Sequence, residues 1–212
     1  MNNNLTTFYL VRHGQTDWNK EKKLQGHTDV PLNTVGEEQA RELAEVLKDV
    51  QFDLAFSSDL LRTKRTAELI TREKKLHIQS TEALRERMFG TLEGGPVDAL
   101  LAHIAVMKTL TDSERKKYRM ADIIENDDEV ITRVVTFLRE TAIAHPKKTI
   151  LVTTHSGILR MLLLHTGYTT YAELDNLTVL NGAYIKFTSD GVDFFIDEVR
   201  GVKVREKLPE SL

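Results

Sequence analysis

Two segments carry residues that can do chemistry: Val11-Arg12-His13-Gly14 and Thr154-His155-Ser156-Gly157. An imidazole can act as nucleophile or as acid and base, and a guanidinium fork matches the oxygens of a phosphoryl group. Each segment ends an apolar, β-favouring run, Leu5 to Val11 in one case and Thr149 to Thr154 in the other. The carboxyl end of a buried strand is where α/β proteins usually meet their ligands. Gly14 has no Cβ and is expected to let the backbone turn tightly beside a substrate. If the two strands are neighbours, both imidazoles project from one edge of the sheet. Arg62, expected in the first turn of a helix, would join them, and helix N-termini add N–H donors and positive potential. A dianionic phosphoryl group suits such a pocket.

Cleavage of a phosphate ester needs a nucleophile, charge stabilisation and a proton donor for the leaving oxygen. A neutral His13 can attack phosphorus directly, giving a phosphohistidine that water resolves. Arginines can stabilise the equatorial oxygens without a metal. Glu86, between Arg85 and Arg87, is the candidate acid: protonated it assists departure, ionised it activates water. Plainer roles stand beside these. His13 and His155 could be structural, Glu86 a salt-bridge partner, and Asn19 and Gln25 loop caps. Trp18 is expected to pack its loop. Arg115-Lys116-Lys117 reads as a solvated helix face, with recognition of a distal anion as the other possibility. The remaining histidines, His27, His77, His103, His145 and His165, show no metal-ligand spacing and receive no role. No metal site and no cofactor are expected.

Composition narrows the field. The chain has 212 residues and a net charge of -3, so no global positive field argues for nucleic acid. There is no cysteine, which excludes disulfides, zinc–thiolate sites and a cysteine nucleophile. The first residues, Met1-Asn2-Asn3-Asn4-Leu5-Thr6-Thr7, lack the basic start of a signal peptide. The longest apolar run, Ile158 to Leu164, is broken by Arg160 and too short to span a bilayer. The expectation is a cytoplasmic protein acting on a small phosphate ester, with neither nucleic acid nor membrane as partner. Oligomeric state is left open.

The positioning elements follow from periodicity. Strands are expected over 5–11, 52–58, 76–80 and 149–154, with a hairpin of 183–187 and 194–199 across Asp190-Gly191. Thr34-Val35-Gly36-Glu37 has the form of a capping box opening a helix whose stripe is Ala40, Leu43, Ala44 and Leu47. A second helix starts near Asp59, capped by Ser58 or Asp59, with Leu60, Thr63, Ala67 and Ile70 on one face. A third covers 97–110. A fourth, 127–144, turns Val130, Val134, Phe137, Leu138 and Ile143 inward and stops at Pro146. A fifth opens at His155-Ser156-Gly157 and closes at Gly167. Strands alternating with helices predict a single three-layer α/β/α domain over 1–212, with 96–125 as a candidate cap.

Taken together, these residues resemble the histidine phosphatase superfamily, the phosphoglycerate mutase-like clan. Four segments match in the family's order: Val11 to Asn19, Ser57 to Thr63, Leu84 to Gly90 and Thr154 to Gly157. Leu24-Gln25-Gly26-His27-Thr28-Asp29-Val30-Pro31-Leu32 resembles the loop these enzymes place beside the substrate. The resemblance implies a mixed, mostly parallel sheet between helices with a variable cap, His13 as the phosphorylated nucleophile and Glu86 as proton donor. It implies that Arg12, Arg62 and His155 hold the phosphoryl group, with Asn19, Gln25, Ser156 and Gly157 contributing to substrate binding. Glu125-Asn126-Asp127-Asp128-Glu129 departs from the Gly-Glu-Ser that many members carry before the long helix. The longer insertion typical of cofactor-dependent phosphoglycerate mutases is absent. The reading is a metal-independent phosphomonoesterase working through phosphohistidine. A phosphomutase and a catalytically silent phosphate-binding module are the alternatives.

Overall fold

The first strand is buried on both faces, which its unbroken apolar sequence requires. The computed structural model describes residues 4–72, 74–121 and 123–204; Met1, Asn2 and Asn3, part of the signal-peptide reading, lie outside them. Strand β1 (Thr6–Arg12) sits between β4 (Thr149–Thr154) and β5 (Leu177–Ser189) in a six-stranded sheet. With β2 (Leu54–Ser58), β3 (Ile78–Thr81) and β6 (Phe194–Val204), the order is β3-β2-β4-β1-β5-β6. The first four strands of that order run parallel, and β5 and β6 are antiparallel to their neighbours.

Alternation along β1 builds a core on each face. Phe8 and Leu10 join Ile150 and Val152 beneath α6 (Asp127–Ala144) and α7 (Ser156–His165). Tyr9 and Val11 join Ala55 and Leu151 beneath α2 (Thr34–Val46) and α3 (Leu61–Thr71). This is the mixed α/β sandwich expected from the alternation of strands and helices. Shorter helices are α1 (Asp17–Lys20), α4 (Leu101–Met107), α5 (Asp112–Lys117) and α8 (Tyr171–Leu174). Among the described residues, no helix is long and apolar enough to cross a membrane.

Several local expectations are corrected. Asn33, not Thr34, caps α2, its side chain accepting from the Gly36 N–H. Helix α3 has Leu60 at its cap with no side-chain bond, because Asp59 is drawn to Arg85 and the Ser58 hydroxyl to His155. The helix expected over 97–110 is a 3-10 turn, Val97–Leu100, followed by α4. Ile143 is 67% exposed, and Ile131, Val135 and Ala142 take the inward places on α6 instead. The first hairpin strand extends beyond 183–187 at both ends, to Leu177 and Ser189, and the second starts at Phe194 as expected but runs on past 199 to Val204.

Candidate active site

The register of β1 with β4 pairs Arg12 with Thr154, so the two chains leave the sheet together. The His13 N–H donates to the Thr154 carbonyl at 3.0 Å, carrying the ladder one residue further. The His13 and His155 rings consequently face each other, centroids 5.2 Å apart and planes at 66°. Both are buried. Gly14 is needed for a reason other than a turn: a Cβ there would lie 2.2 Å from the Gly36 carbonyl oxygen of α2. Close packing of strand end on helix, rather than approach of a substrate, demands glycine at this point.

Hydrogen bonds fix the state of each imidazole. The carbonyl of Gly14 lies 2.6 Å from His13 Nδ1 and can only accept, so Nδ1 carries the proton. The lone pair is left on Nε2. His155 is oriented the other way: its Nδ1 accepts from Arg62 Nε at 3.3 Å, and its Nε2 meets the Ser58 hydroxyl at 3.0 Å. Burial, then Arg62 and Arg12, hold His13 well below the ordinary imidazole range. His155 is held low by burial first and then by Arg62. Both rings are neutral at neutral pH, the state a nitrogen nucleophile requires.

Arg62 is almost completely enclosed, and the turn over 26–28 explains how. Its terminal nitrogens donate to the carbonyls of Thr28 and Gly26 at 2.9 and 2.8 Å. That loop is held in turn by the Glu93 carboxylate, which accepts from the N–H groups of His27 and Thr28 and from the Thr28 hydroxyl. Arg12 donates to the Val179 carbonyl at 2.5 Å, and its Nε is buried with no partner. Burial lowers both guanidinium groups to about 10, far enough above neutrality to leave them charged.

Glu86 meets this centre across α7. Its carboxylate accepts from the Gly157 N–H at 3.0 Å and from the Arg87 N–H at 2.9 Å. A Cβ on residue 157 would fall 2.2 Å from Glu86 Oε1, so Gly157 is the space in which the carboxylate rests. The Glu86 segment is clamped by a residue that sequence reading passed over. Arg133 on α6 donates to the carbonyls of Ala83, Arg85 and Glu86 at 3.0, 2.7 and 3.0 Å. Its remaining donors go to Glu125 at 2.8 and 3.0 Å, and Glu125 accepts from the Met88 N–H at 2.9 Å. His27, given no role from the sequence, places Nε2 2.9 Å from the Glu86 carbonyl. Helical amphipathicity marks Arg133 only as a polar residue beside a buried stripe, which is too weak a signal to find it.

All nine residues named from the sequence line one cavity of about 550 Å3: Arg12, His13, Asn19, Gln25, Arg62, Glu86, His155, Ser156 and Gly157. Asn19 does so while also capping α1 in a capping box with Thr16, and its Oδ1 accepts from Asn181 at 3.3 Å. Asn181 also reaches the His13 carbonyl at 3.1 Å. Gln25 keeps a buried Oε1 without a partner. Trp18 lines the cavity and packs over Gly94. Arg115 is not part of a solvated face: it is buried, pairs with Asp175, and lines the cavity too.

Residues 8–200 match the model of the histidine phosphatase superfamily, branch 1. The uncharacterized phosphatase PhoE of Bacillus subtilis is 37% identical over 162 residues, covering 75% of this chain and 76% of that protein. The phosphoserine phosphatase of Entamoeba histolytica, solved with 3-phosphoglyceric acid, superposes with a TM-score of 0.79 at 25% identity, covering 92% and 96% of the two chains. A phosphoglycerate mutase from Bacillus anthracis superposes at 0.76 with 26% identity over 93% of each. The chain belongs to the histidine phosphatase superfamily, and it is an enzyme acting as a phosphatase.

Proposed function

We propose that the protein is a metal-independent phosphomonoesterase that works through a phosphohistidine at His13 on small phosphorylated metabolites. The observation that carries the reading is the bond from His13 Nδ1–H to the Gly14 carbonyl, which leaves Nε2 as the free base in a buried, arginine-flanked site. Nε2 attacks phosphorus as the ester oxygen departs. Glu86, protonated, gives its proton to that oxygen and then, ionised, takes one from the water that releases phosphate. Arg12 and Arg62 hold the phosphoryl oxygens, the unpartnered Arg12 Nε being the donor most directly available, and His155 joins them by turning its Nε2–H from the Ser58 hydroxyl to the phosphoryl group. Asn19, Gln25, Ser156 and Gly157 border the substrate, and residues 96–125 serve as a cap, contributing Val97, Leu100, Ile104, Met107, Arg115 and Met120 to the cavity wall.

The test is phosphate release from a panel of small esters, with and without chelator, beside His13→Ala. Chelator-resistant release that vanishes in a folded His13→Ala protein is expected. A requirement for added divalent metal, or full activity in the variant, contradicts the reading. Likeness to a solved phosphoglycerate mutase keeps a second reading in view, phosphoryl transfer to an acceptor alcohol instead of water. Labelled phosphate appearing in a second phosphoglycerate, in place of free phosphate, would favour it.

A further inference from the structure

Glu93 stands outside the cavity lining, yet its carboxylate accepts from two segments that build the site. Oε1 takes the N–H groups of His27 and Phe89, both at 3.0 Å. Oε2 takes the N–H of Thr28 at 2.8 Å and its hydroxyl at 2.6 Å. Gly26 makes the room: its φ is +52°, and a Cβ there would lie 2.0 Å from Glu93 Oε1. The backbone adds two bonds between the same segments, the Leu24 N–H to the Gly95 carbonyl at 2.9 Å and the Gly94 N–H to the Leu24 carbonyl at 2.8 Å.

These two segments carry different parts of the chemistry. The Gly26 and Thr28 carbonyls receive the terminal nitrogens of Arg62. Phe89 belongs to the segment of Glu86, whose carbonyl accepts from His27 Nε2 at 2.9 Å. Four donors on two oxygens need a side chain that only accepts, and an ionised carboxylate is one. Burial raises the pKa of Glu93, but the Thr28 hydroxyl and the three backbone N–H groups outweigh it, so the carboxyl lies below its ordinary value. A glutamine of the same shape would turn its own N–H groups against two of those donors.

We propose that Glu93 is a positioning residue that keeps the phosphoryl clamp and the proton donor in register. It sets Arg62 through the turn over 26–28, and Glu86 through the N–H of Phe89 and the ring of His27. This rests on the phosphomonoesterase reading and adds a coupling to it: one carboxylate ties phosphoryl affinity to proton transfer.

The experiment compares the unaltered protein, Glu93→Gln and Arg133→Gln in two readouts. Calorimetric binding of inorganic phosphate reads the clamp without turnover. The ratio of kcat/KM for ethyl phosphate to that for nitrophenyl phosphate reads the proton donor. In Glu93→Gln, phosphate is expected to bind about tenfold more weakly and the ratio to fall about tenfold, the size of losing a hydrogen bond to a charged group. Arg133→Gln should move the ratio alone. Thr28→Val removes one donor and keeps the backbone bonds, so it should move both readouts the same way by about threefold even if Glu93→Gln does not fold. A folded Glu93→Gln protein that loses stability while either readout stays put overturns the proposal, and so does a Thr28→Val protein that moves neither. Absence of turnover on every ester by the unaltered protein contradicts the phosphomonoesterase reading instead, and the phosphate affinities still decide this one.

Discussion

The two halves of the cavity are built by different means. At the reacting centre, side chains are set by the ends of neighbouring strands, and short backbone-directed bonds fix the ring states of His13 and the reach of Glu86. In the remaining wall, apolar side chains surround ion pairs that join segments far apart in sequence, Arg87 to Asp127 and Arg115 to Asp175. The first half can stabilise one chemical event with little freedom to vary. The second can change its lining without disturbing the sheet. On the proposed function, reaction type and substrate choice are carried by separate parts of one pocket.

The sharpest way to break this division is Glu86→Gln. Turnover of alkyl phosphates should fall by about 10²- to 10⁴-fold, the usual range for loss of a general acid, while a nitrophenyl ester is much less affected. Equal losses on both would remove Glu86 from proton transfer. Arg133→Gln should show the same preference on a smaller scale, about tenfold to a hundredfold, because it loosens the segment that aims Glu86 without touching the phosphoryl group. A loss independent of the leaving group would mark Arg133 as purely structural.

Arg115→Ala addresses the other half. Asp175 would be left nearly buried without its partner, which costs about 3 kcal/mol or more of stability, measured by denaturant unfolding. Turnover of the shortest esters should change far less than in the Glu86 variant. The last effect concerns pH. His13 and His155 are held below the ordinary imidazole value of 6.5 in the folded protein, so the unfolded chain takes up protons first as pH falls. Stability is therefore complete above about pH 6.5 and declines below it, by at most about 1.4 kcal/mol per pH unit for each ring. Unfolding curves between pH 7 and 5 check the sign, and His155→Asn should flatten the decline.

The same division decides what could be read before any coordinates. Phe8 to Val11 and Ile150 to Val152 announce buried strands because a strand covered on both faces has no polar alternation. The groups at their ends then follow from the chain itself, and His13, Arg12 and His155 were visible for that reason. Gly14 and Gly157 were visible as residues, but their reasons were not. One makes room for Gly36 and the other for Glu86, and both contacts close over long sequence distances. Arg133 and Arg115 were missed or misread because a charged residue on a helix looks solvated unless the opposing carbonyls or carboxylate are known. The capping box at Thr34 failed by a single residue, since Asn33 offers the same oxygen one place earlier.

The most direct test of the central claim is an acid-free rapid quench with a labelled phosphate ester, followed by mapping of the labelled peptide. The expected result is one phosphate per chain on His13, stable in base, labile in acid, and absent from His13→Ala. Phosphate released at full rate with no label ever held on the protein, or label carried on another residue, would contradict it.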